Sequence, residues 1–341
     1  MALGAERTPS ALGEGSHAVL ARLGEALMWF RKDRALDDAG RSLVEAMLAR
    51  FGSYGLTREG FALTLLVHEK PLDGQPEGDP PARFAIHGSQ TFYPCSVVKL
   101  FYLVAAQQRL EEGLIQPHEE LSRAMRDMIH VSSNTATNYV IDLVTETTGD
   151  TLLAPEAMAE WVYHRNWVNR FFADFGWPEL EPINLCQKLM DDQRYGREQV
   201  FVGLNGANHN RLTTDATVRL FHAVMTGRAV TSARSKIVRD YLWRPHDADF
   251  VRDEPNGQIV GYFGAGLPPS AKLWSKAGWT GWTGDPTASY RRHDAAYVEL
   301  AGGRQFTLAV FTYGREISVN LEVLPTLAAA TCALVQGLPM N

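Results

Sequence analysis

A serine and a lysine stand three residues apart at the start of an apolar stretch, in the segment Tyr93–Phe101 (YPCSVVKLF). Pro94 suits the entry to a helix but not its interior, and the residues that follow are mostly good helix formers up to Gly113. We therefore expect Ser96 in the first turn of a buried helix and Lys99 one turn later. Because residues i and i+3 share a helix face, the two side chains can touch, as a nucleophile and its base must.

Composition narrows the class of protein. A length of 341 residues allows one or two domains, and 45% hydrophobic with 21% charged residues is ordinary for a soluble globular chain. The net charge of −6 and the lack of a long basic run argue against a nucleic-acid partner. The three cysteines form no C-x-x-C pair, and no H-E-x-x-H occurs, so the sequence predicts neither a disulfide framework nor a metal or other cofactor.

The N-terminus has no basic stretch followed by an apolar one, as a secretory signal would, and no window approaches the roughly 18 apolar residues of a membrane span. We therefore expect a cytoplasmic protein without membrane contact. Apolar residues recur at helical spacing over His17–Phe30, which predicts an added helix within an N-terminal extension, residues 1–35. This helix packs either on the body of the protein or on a second copy, as a homodimer; the sequence does not decide between them.

The rest of the chain reads as strands at both ends with helices between them. The predicted strands are Phe61–His68, Arg83–His87, Ala271–Trp279, Asp294–Leu300 and Phe306–Tyr313. This order predicts an α+β domain over 36–341, with a sheet part at about 36–90 and 228–341 and a helical subdomain at about 91–227. Residues 194–210 and 247–269 read as loops, the second over the surface, and 317–338 as one closing helix.

Three short motifs occur in order along this framework. They are Ser96-x-x-Lys99 at a helix start, Ser132-x-Asn134 between helices, and Lys276-Ala277-Gly278 on a strand. The first is the only S-x-x-K in the sequence and the third the only K-x-G. Each motif is weak alone, but their joint order and predicted contexts make the signal specific.

With these motifs the chain resembles the serine β-lactamase and penicillin-binding-protein superfamily, and most closely its class A β-lactamase branch. The segment VSSNTATN is similar to that branch's S-D-N-T-A-x-N, RLTTDATVRLFHAVMTG to its T-T-P-x-x-M helix, and DAAYVEL with FTLAVFTYGRE to its last two strands. The resemblance covers about residues 36–338. It implies a five-stranded antiparallel sheet with helices on both faces, a helical subdomain, and an active site between them.

The resemblance also implies roles for the motif residues. Ser96 is the expected nucleophile and Lys99 its base, made partly neutral by burial and by the nearby charge of Lys276. Ser132 is expected to pass the proton to the leaving nitrogen. Asn134 is expected to hold the substrate amide and the head of Lys99.

An oxyanion hole is implied as well, from the backbone N–H groups of Ser96 and Trp279. Gly278, which lacks a side chain, would let the backbone approach the substrate closely. Glu181 is the candidate to position the hydrolytic water, since Glu181-Pro-Ile-Asn184 is close to the branch's E-x-x-L-N, although one residue short.

Three further departures from the branch affect this interpretation. Ser132 follows Ser96 sooner than is usual there, which predicts a trimmed helical subdomain and a more open cleft. Ala277 replaces a Thr or Ser whose hydroxyl helps to bind the β-lactam carboxylate, which weakens the case for β-lactam substrates. Ser133 replaces the Asp of S-D-N, which we interpret as a structural loss.

Each residue also has a structural interpretation. Ser96 with Lys99, and Ser132 with Asn134, can be read as helix caps or a lysine reaching for solvent, and Lys276 as a charge that protects a sheet edge. For Glu181 the alternative is an ordinary solvated side chain. Trp274, Trp279 and Trp282 can belong to the core or wall a pocket; we favour core for Trp274 and pocket for Trp279.

Two functions follow from these observations. The first is a serine hydrolase that forms an acyl-enzyme on Ser96 and cleaves a small amide, peptide or lactam bond. The small-molecule or short-peptide substrate is then the main partner, without nucleic acid or membrane. The second is a ligand-binding or regulatory protein that keeps the fold but does not turn over a substrate. The irregular Glu181 motif supports this second function.

Overall fold

The computed structural model describes residues 29–74, 80–149, 151–189, 194–203 and 206–339. Most of the predicted N-terminal extension, including nearly all of the helix at His17–Phe30, lies outside these residues. The strands are β1 (Phe61–His68), β2 (Ala82–Ile86), β3 (Lys272–Thr280), β4 (Arg291–Glu299) and β5 (Gln305–Tyr313).

Helices precede, separate and follow the strands. Their bounds are α1 (Arg34–Phe51), α2 (Lys99–Glu111), α3 (Glu119–His130), α4 (Asn134–Thr145), α5 (Pro155–Arg165), α6 (Trp167–Ala173), α7 (Gly196–Val202), α8 (Thr214–Met225), α9 (Ser232–Leu242), α10 (Ala248–Asp253), α11 (Arg315–Val319) and α12 (Val323–Gly337). Short 3-10 turns add Gly52–Tyr54, Cys95–Val98, Pro178–Leu180 and Phe263–Gly266.

The five strands form one antiparallel sheet in the order β2-β1-β5-β4-β3. The predicted five-stranded α+β fold is therefore confirmed, and each strand lies within a few residues of its predicted bounds. β3, the strand that carries the K-A-G motif, lies at an edge of the sheet. An edge strand leaves one row of backbone groups unpaired by the sheet, and these groups face the helical part of the chain.

Apolar residues of the sheet alternate between two cores. In β1, Leu63, Leu65 and Val67 join a cluster with α1 and α12, while Ala62 and Leu66 join a second cluster with α2 and α8. Because both faces are covered, every residue of β1 is buried. This explains why its sequence, FALTLLVH, is an apolar run rather than an alternating one.

The central helix α2 is buried on nearly its whole circumference, and it packs in the second of these clusters. A helix that is apolar on all sides belongs in a protein interior. Its first residue is Lys99, so the fold places a lysine at the N-terminal end of this buried helix.

Three predictions about local structure are wrong. Residues 194–210 were expected to be a loop but contain α7, and 247–269 contain α10 and a 3-10 turn rather than loop alone. The segment 317–338 is broken into α11 and α12, because Asn320 accepts the backbone N–H groups of Glu322 and Val323 and so starts the second helix.

Candidate active site

Ser96 lies in the 3-10 turn Cys95–Val98 that leads directly into α2, rather than in the first α-helical turn. Side chains three residues apart eclipse each other in a 3-10 turn, so Ser96 and Lys99 share one face here as well. Cys95 has a left-handed φ of 49°, an unfavourable conformation for a residue with a side chain. This bend turns the chain so that Ser96, alone in the turn, is partly exposed and lines a cleft.

Lys99 is fully buried and its ammonium is held by polar atoms of the second motif. Nζ donates to the backbone oxygen of Ser132, to Ser132 Oγ at 3.1 Å and to Asn134 Oδ1 at 2.8 Å. Asn134 is the first residue of α4 and lines the same cleft as Ser96. The structure therefore brings the first and second motifs into direct contact.

Ser132 joins the two lysines. Its Oγ lies 3.1 Å from Nζ of Lys99 and 3.1 Å from Nζ of Lys276. A hydroxyl has two acceptor positions and one hydrogen to donate. With both acceptor positions used by the lysines, the hydrogen of Ser132 is left for another acceptor. The backbone of Ser132 is in the left-handed region, with φ at 58°, which is a second strained residue at the site.

Lys276 is also fully buried. Its pKa is held well below the ordinary value of 10.5, first by burial and then by the charges of Lys99 and Arg244. Two cations that share one hydroxyl repel each other, so the neutral form of one lysine is favoured. We call Lys99, Ser132, Asn134 and Lys276 the lysine cluster.

Position 278 requires a glycine, because its neighbours leave no room for a side chain. A Cβ built on Gly278 would lie 2.7 Å from the backbone N of Ser96 and 2.9 Å from Cβ of Cys95. Distances this short are not tolerated between such atoms, so only glycine allows β3 to touch the Ser96 turn. The third motif thus lies directly against the first.

The backbone of β3 also explains where the N–H of Trp279 points. The carbonyl of Leu273 accepts the backbone N–H of Arg244, and the carbonyl of Ala277 accepts Nζ of Lys276, so both face away from β4. Backbone groups of alternate residues point the same way along a strand. The N–H of Trp279 therefore points from the free edge of the sheet, on the side where Ser96 lies.

Gln258 is a site residue that the sequence analysis missed, because it lies in the segment expected to be a surface loop. Its Oε1 accepts Nζ of Lys276 at 2.6 Å and its Nε2 donates to the carbonyl of Ala277 at 3.2 Å. Its backbone φ is 59°, a third left-handed residue around the cluster. No motif marks Gln258; the only signal was a Gly-rich segment that precedes the Lys276 strand.

Two buried charges lie behind Lys276. Asp294, paired with Ala277 across the sheet, accepts the backbone N–H groups of Phe263 and Ala295, and burial raises its pKa to about 7. Arg244 donates to the carbonyls of Ile129, His130 and Gly257 and so ties the end of α3 to β3. Together these residues fix the strand and helix ends that carry the lysine cluster.

Ser133 corrects one interpretation of the sequence. It was taken as a structural loss relative to Asp, but its Oγ accepts the backbone N–H of Ala136 at 3.1 Å and caps α4. Such an N-cap contributes about 1 kcal/mol to a helix. The substitution therefore keeps the capping function that holds Asn134 at the helix start.

Glu181 is not brought to the cluster. It follows the turn Pro178–Leu180 in the chain, its side chain is exposed, and it is not one of the described residues that line the cleft. Among the described residues of this loop, Leu189 lines the cleft, and its backbone N–H and carbonyl both bond to the side chain of Asn138. The role predicted for Glu181 from its motif has no support in this arrangement.

The cleft has a volume of about 1260 Å³ and opens from Ser96 to solvent. One side is formed by α7 and its flanks, with Leu189, Arg194 and Gln199. The other is the segment 279–288, which we call the aromatic wall because it exposes Trp279 (48%) and Trp282 (61%). Trp274 packs instead on Trp243 and Tyr297. A cleft of this size exceeds a typical drug-sized pocket and suits an extended substrate.

Within the residues that the structure describes, no group of three or more His, Cys, Asp or Glu side chains is arranged to hold a metal ion. In the same part of the chain, no helix combines the length and apolar character needed to cross a membrane.

Ser96, the two buried lysines, their shared hydroxyl and the edge strand thus meet at one place in the fold, as the resemblance to the serine β-lactamase and penicillin-binding-protein superfamily implies. The sequence profile of the β-lactamase enzyme family matches residues 120–337, more than half of the chain. The protein belongs to the β-lactamase enzyme family. A search of curated protein sequences finds no match.

Solved structures with the same fold include β-lactamases and a PBP. The β-lactamase of Sphaerobacter thermophilus is 18% identical, with a TM-score of 0.59 over 88% of this chain and 99% of its own. The class A β-lactamase of the last common ancestor of Gram-negative bacteria is 17% identical, with a TM-score of 0.55 over 86% and 98%. PBP-A is 15% identical, with a TM-score of 0.56 over 91% and 98%. Identities this low show a shared fold.

Proposed function

We propose that the protein is a serine hydrolase that forms an acyl-enzyme on Ser96 and cleaves a small amide, peptide or lactam bond. The observation that carries this proposal is the position of Ser132 Oγ, 3.1 Å from each of two buried lysines, next to the cleft that Ser96 lines. A structural lysine pair would gain nothing from sharing one hydroxyl inside the protein, because burying two cations together is costly.

In the proposed acylation, Ser96 Oγ attacks the substrate carbonyl carbon while its proton passes to the neutral amine of Lys99. The oxyanion that forms is held by the backbone N–H groups of Ser96 and Trp279. The C–N bond then breaks as the hydroxyl of Ser132 gives its proton to the leaving nitrogen. Ser132 regains a proton from the lysines on either side of it. Water later hydrolyses the ester and restores Ser96.

Cys95 adjoins Ser96 and is the other nucleophile to consider. Its side chain is buried, and burial raises the pKa of its thiol to about 12. The reactive species of cysteine is the thiolate, so this thiol stays inert at neutral pH. Ser96, with a lysine on its own face of the turn, is the better nucleophile.

One related structure supports an acyl-enzyme route. A PBP-A variant was solved as an acyl-enzyme complex with penicillin G. The proposal is tested by intact-mass analysis after incubation with a penicillin-type probe and with simple amide and ester substrates, with Ser96→Ala measured in parallel. An adduct or turnover in the wild type that is absent from the variant supports it. The absence of both with every substrate contradicts it.

The exposed position of Glu181 favours a second candidate, a ligand-binding or regulatory protein that is acylated once and does not turn over. The same experiment separates the two candidates. An adduct that persists for hours with no released product supports the binding protein, while steady product release supports the hydrolase.

A further inference from the structure

Lys276 has no hydrogen left to offer a substrate. An ammonium carries three N–H donors and a neutral amine two, so the three acceptors around Nζ of Lys276 use every donor in either state. These acceptors are Ser132 Oγ at 3.1 Å, Gln258 Oε1 at 2.6 Å and the carbonyl of Ala277 at 2.7 Å. The side chain is also fully buried, so a ligand in the cleft meets its neighbours before it meets the charge.

Ala277, the residue after Lys276, supplies no side-chain donor for a substrate. Ala277 has no hydroxyl, is fully buried, and its carbonyl already accepts from Lys276 and from Gln258 Nε2. Gln258 therefore closes the K-A-G segment with a neutral amide that contacts both residues. Its left-handed φ of 59° is an unfavourable conformation for a residue with a side chain, and the two hydrogen bonds help to offset that cost.

The arginines near β3 do not supply a substitute cation. Arg292 donates to the carbonyls of Ser318 and Gly261, and Arg244 to three carbonyls on its own side of the strand. Arg291 lies over the ring of Tyr313 and donates to the carbonyl of Thr287. Arg292 and Arg244 thus hold the backbone in place, and Arg291 lines a neighbouring pocket rather than the cleft.

Among the described residues that line the cleft, the only Lys or Arg is Arg194, and the only carboxylate is Asp285. Besides the larger effect of burial, the charge of Arg194 lowers the pKa values of Tyr93 and His209, and the charge of Asp285 raises them. The two charges therefore lie in the same part of the cleft. A carboxylate placed against β3 would thus give up part of its water and meet hydroxyl and backbone N–H groups, but no Lys or Arg among the described residues that line this side of the cleft. A partly desolvated charge without a cation as its partner is unfavourable.

We propose that the substrate is uncharged where it lies against Trp279 and Thr280, the β3 residues that line the cleft next to Lys276–Gly278, so that this enzyme takes neutral amides, esters or internal peptide bonds and discriminates against substrates with a carboxylate at that position. This inference rests on the proposed acylation of Ser96. It names the substrate class of that same site.

A matched pair of ligands tests the inference on the full-length protein. Benzylpenicillin and its methyl ester share one lactam and differ in the carboxylate, and an acyclic phenylacetyl-glycyl depsipeptide is compared as the free acid and as the C-terminal amide. We expect the neutral member of each pair to acylate Ser96 at least about tenfold faster, as followed by intact mass. Equal rates, or faster acylation by the free acids, overturn the inference while leaving the hydrolase in place. If no ligand acylates Ser96, the proposed function fails and the inference with it.

Variants test the cause of this preference. Gln258→Ala frees one donor of Lys276, and combining it with Ala277→Thr adds a hydroxyl beside it. We expect the ratio of neutral to acidic acylation rates to fall at least about fivefold in Gln258→Ala and further in the double variant. Lys272→Ala, which removes an exposed cation from the same strand, should leave the ratio unchanged. A ratio that stays the same in Gln258→Ala, in a protein that still acylates, contradicts the assigned role of Gln258.

Discussion

The two ends of the cleft differ in burial and in polarity. At the inner end, both lysines of the lysine cluster are buried, and they donate to Ser132 Oγ and, from Lys276, to Gln258 Oε1. At the outer end, the aromatic wall exposes Trp279 and Trp282. Buried polar groups require specific partners, whereas exposed apolar groups accept many. The inner end thus sets the chemistry, and the outer end is free to set the substrate.

The largest effect is expected at the base. Lys99→Ala should slow acylation of Ser96 by about 10³–10⁴-fold, because the serine hydroxyl then has no group to take its proton. The measurement is the single-turnover acylation rate by intact mass. The matched control is Lys272→Ala, an exposed lysine paired with Glu299. An acylation rate for Lys99→Ala within tenfold of wild type would mean that another group is the base.

The second-largest effect is expected from adding one methyl group where β3 contacts the Ser96 turn. Gly278→Ala places Cβ 2.7 Å from the backbone N of Ser96, so the turn must move away from Trp279. We expect acylation to fall by about 10²–10³-fold, the loss typical of an oxyanion donor. In Gly281→Ala the added Cβ meets only the ring of Trp279 at 3.5 Å, an ordinary contact, and activity should be kept. Equal activity of the two variants would contradict this geometry.

The pH dependence of acylation tests the lysine pair. The pKa of Lys276 lies well below its ordinary value of 10.5, owing to burial and the charge of Lys99. Loss of one proton from this coupled pair supplies the neutral amine that takes the proton of Ser96, so acylation should rise with pH and level off below 10.5. The midpoint belongs to the coupled pair. It is measured as the acylation rate between about pH 5 and 10, with the folded state checked at each pH. A flat profile would contradict the proposal.

At the outer end, the effects should be modest and fall on binding. Trp282→Ala removes an exposed ring from the aromatic wall and should raise KM by about tenfold for substrates with apolar groups, with kcat changed by less than about threefold. Steady-state kinetics separates the two constants. Tyr163→Ala, an equally exposed aromatic on α5, serves as the control and should change neither. A fall in kcat with KM unchanged would place Trp282 in the chemistry instead.

The smallest effect is expected at Glu181. Because the side chain is exposed and does not line the cleft, Glu181→Gln should leave the lifetime of the acyl-enzyme within about twofold of wild type. The lifetime is measured by the decay of the adduct mass. A long-lived adduct in this variant alone would restore Glu181 as the group that positions water.

The motif residues that the fold brings together at the inner end could be named from the sequence because each motif is local in the chain, while their catalytic roles stay predictions. Ser96 and Lys99 are one turn apart, Ser132 and Asn134 flank a helix start, and Lys276 with Gly278 lies on one strand, so short motifs carry them. The five strands were equally accessible, because their apolar runs are bounded by turns.

Short motifs did not reveal the residues of the outer end, or Gln258, which hydrogen-bonds Lys276. Gln258 reaches Lys276 through a left-handed backbone in a segment with no motif, and its role depends on a hydrogen bond across 18 residues of sequence. Glu181 was chosen from a spacing that is one residue short, and the fold places Leu189 in the cleft instead. Contacts that loops make with distant residues produce no periodic pattern in the sequence.

The most direct test of the account is to locate the acyl group. After a short incubation with a neutral ester or a penicillin ester, the protein is digested and the peptide that contains Cys95 and Ser96 is fragmented by mass spectrometry. The account predicts the added mass on Ser96, as an oxygen ester that resists mild treatment with neutral hydroxylamine. Added mass on Cys95, as a thioester that the same treatment removes, would contradict it.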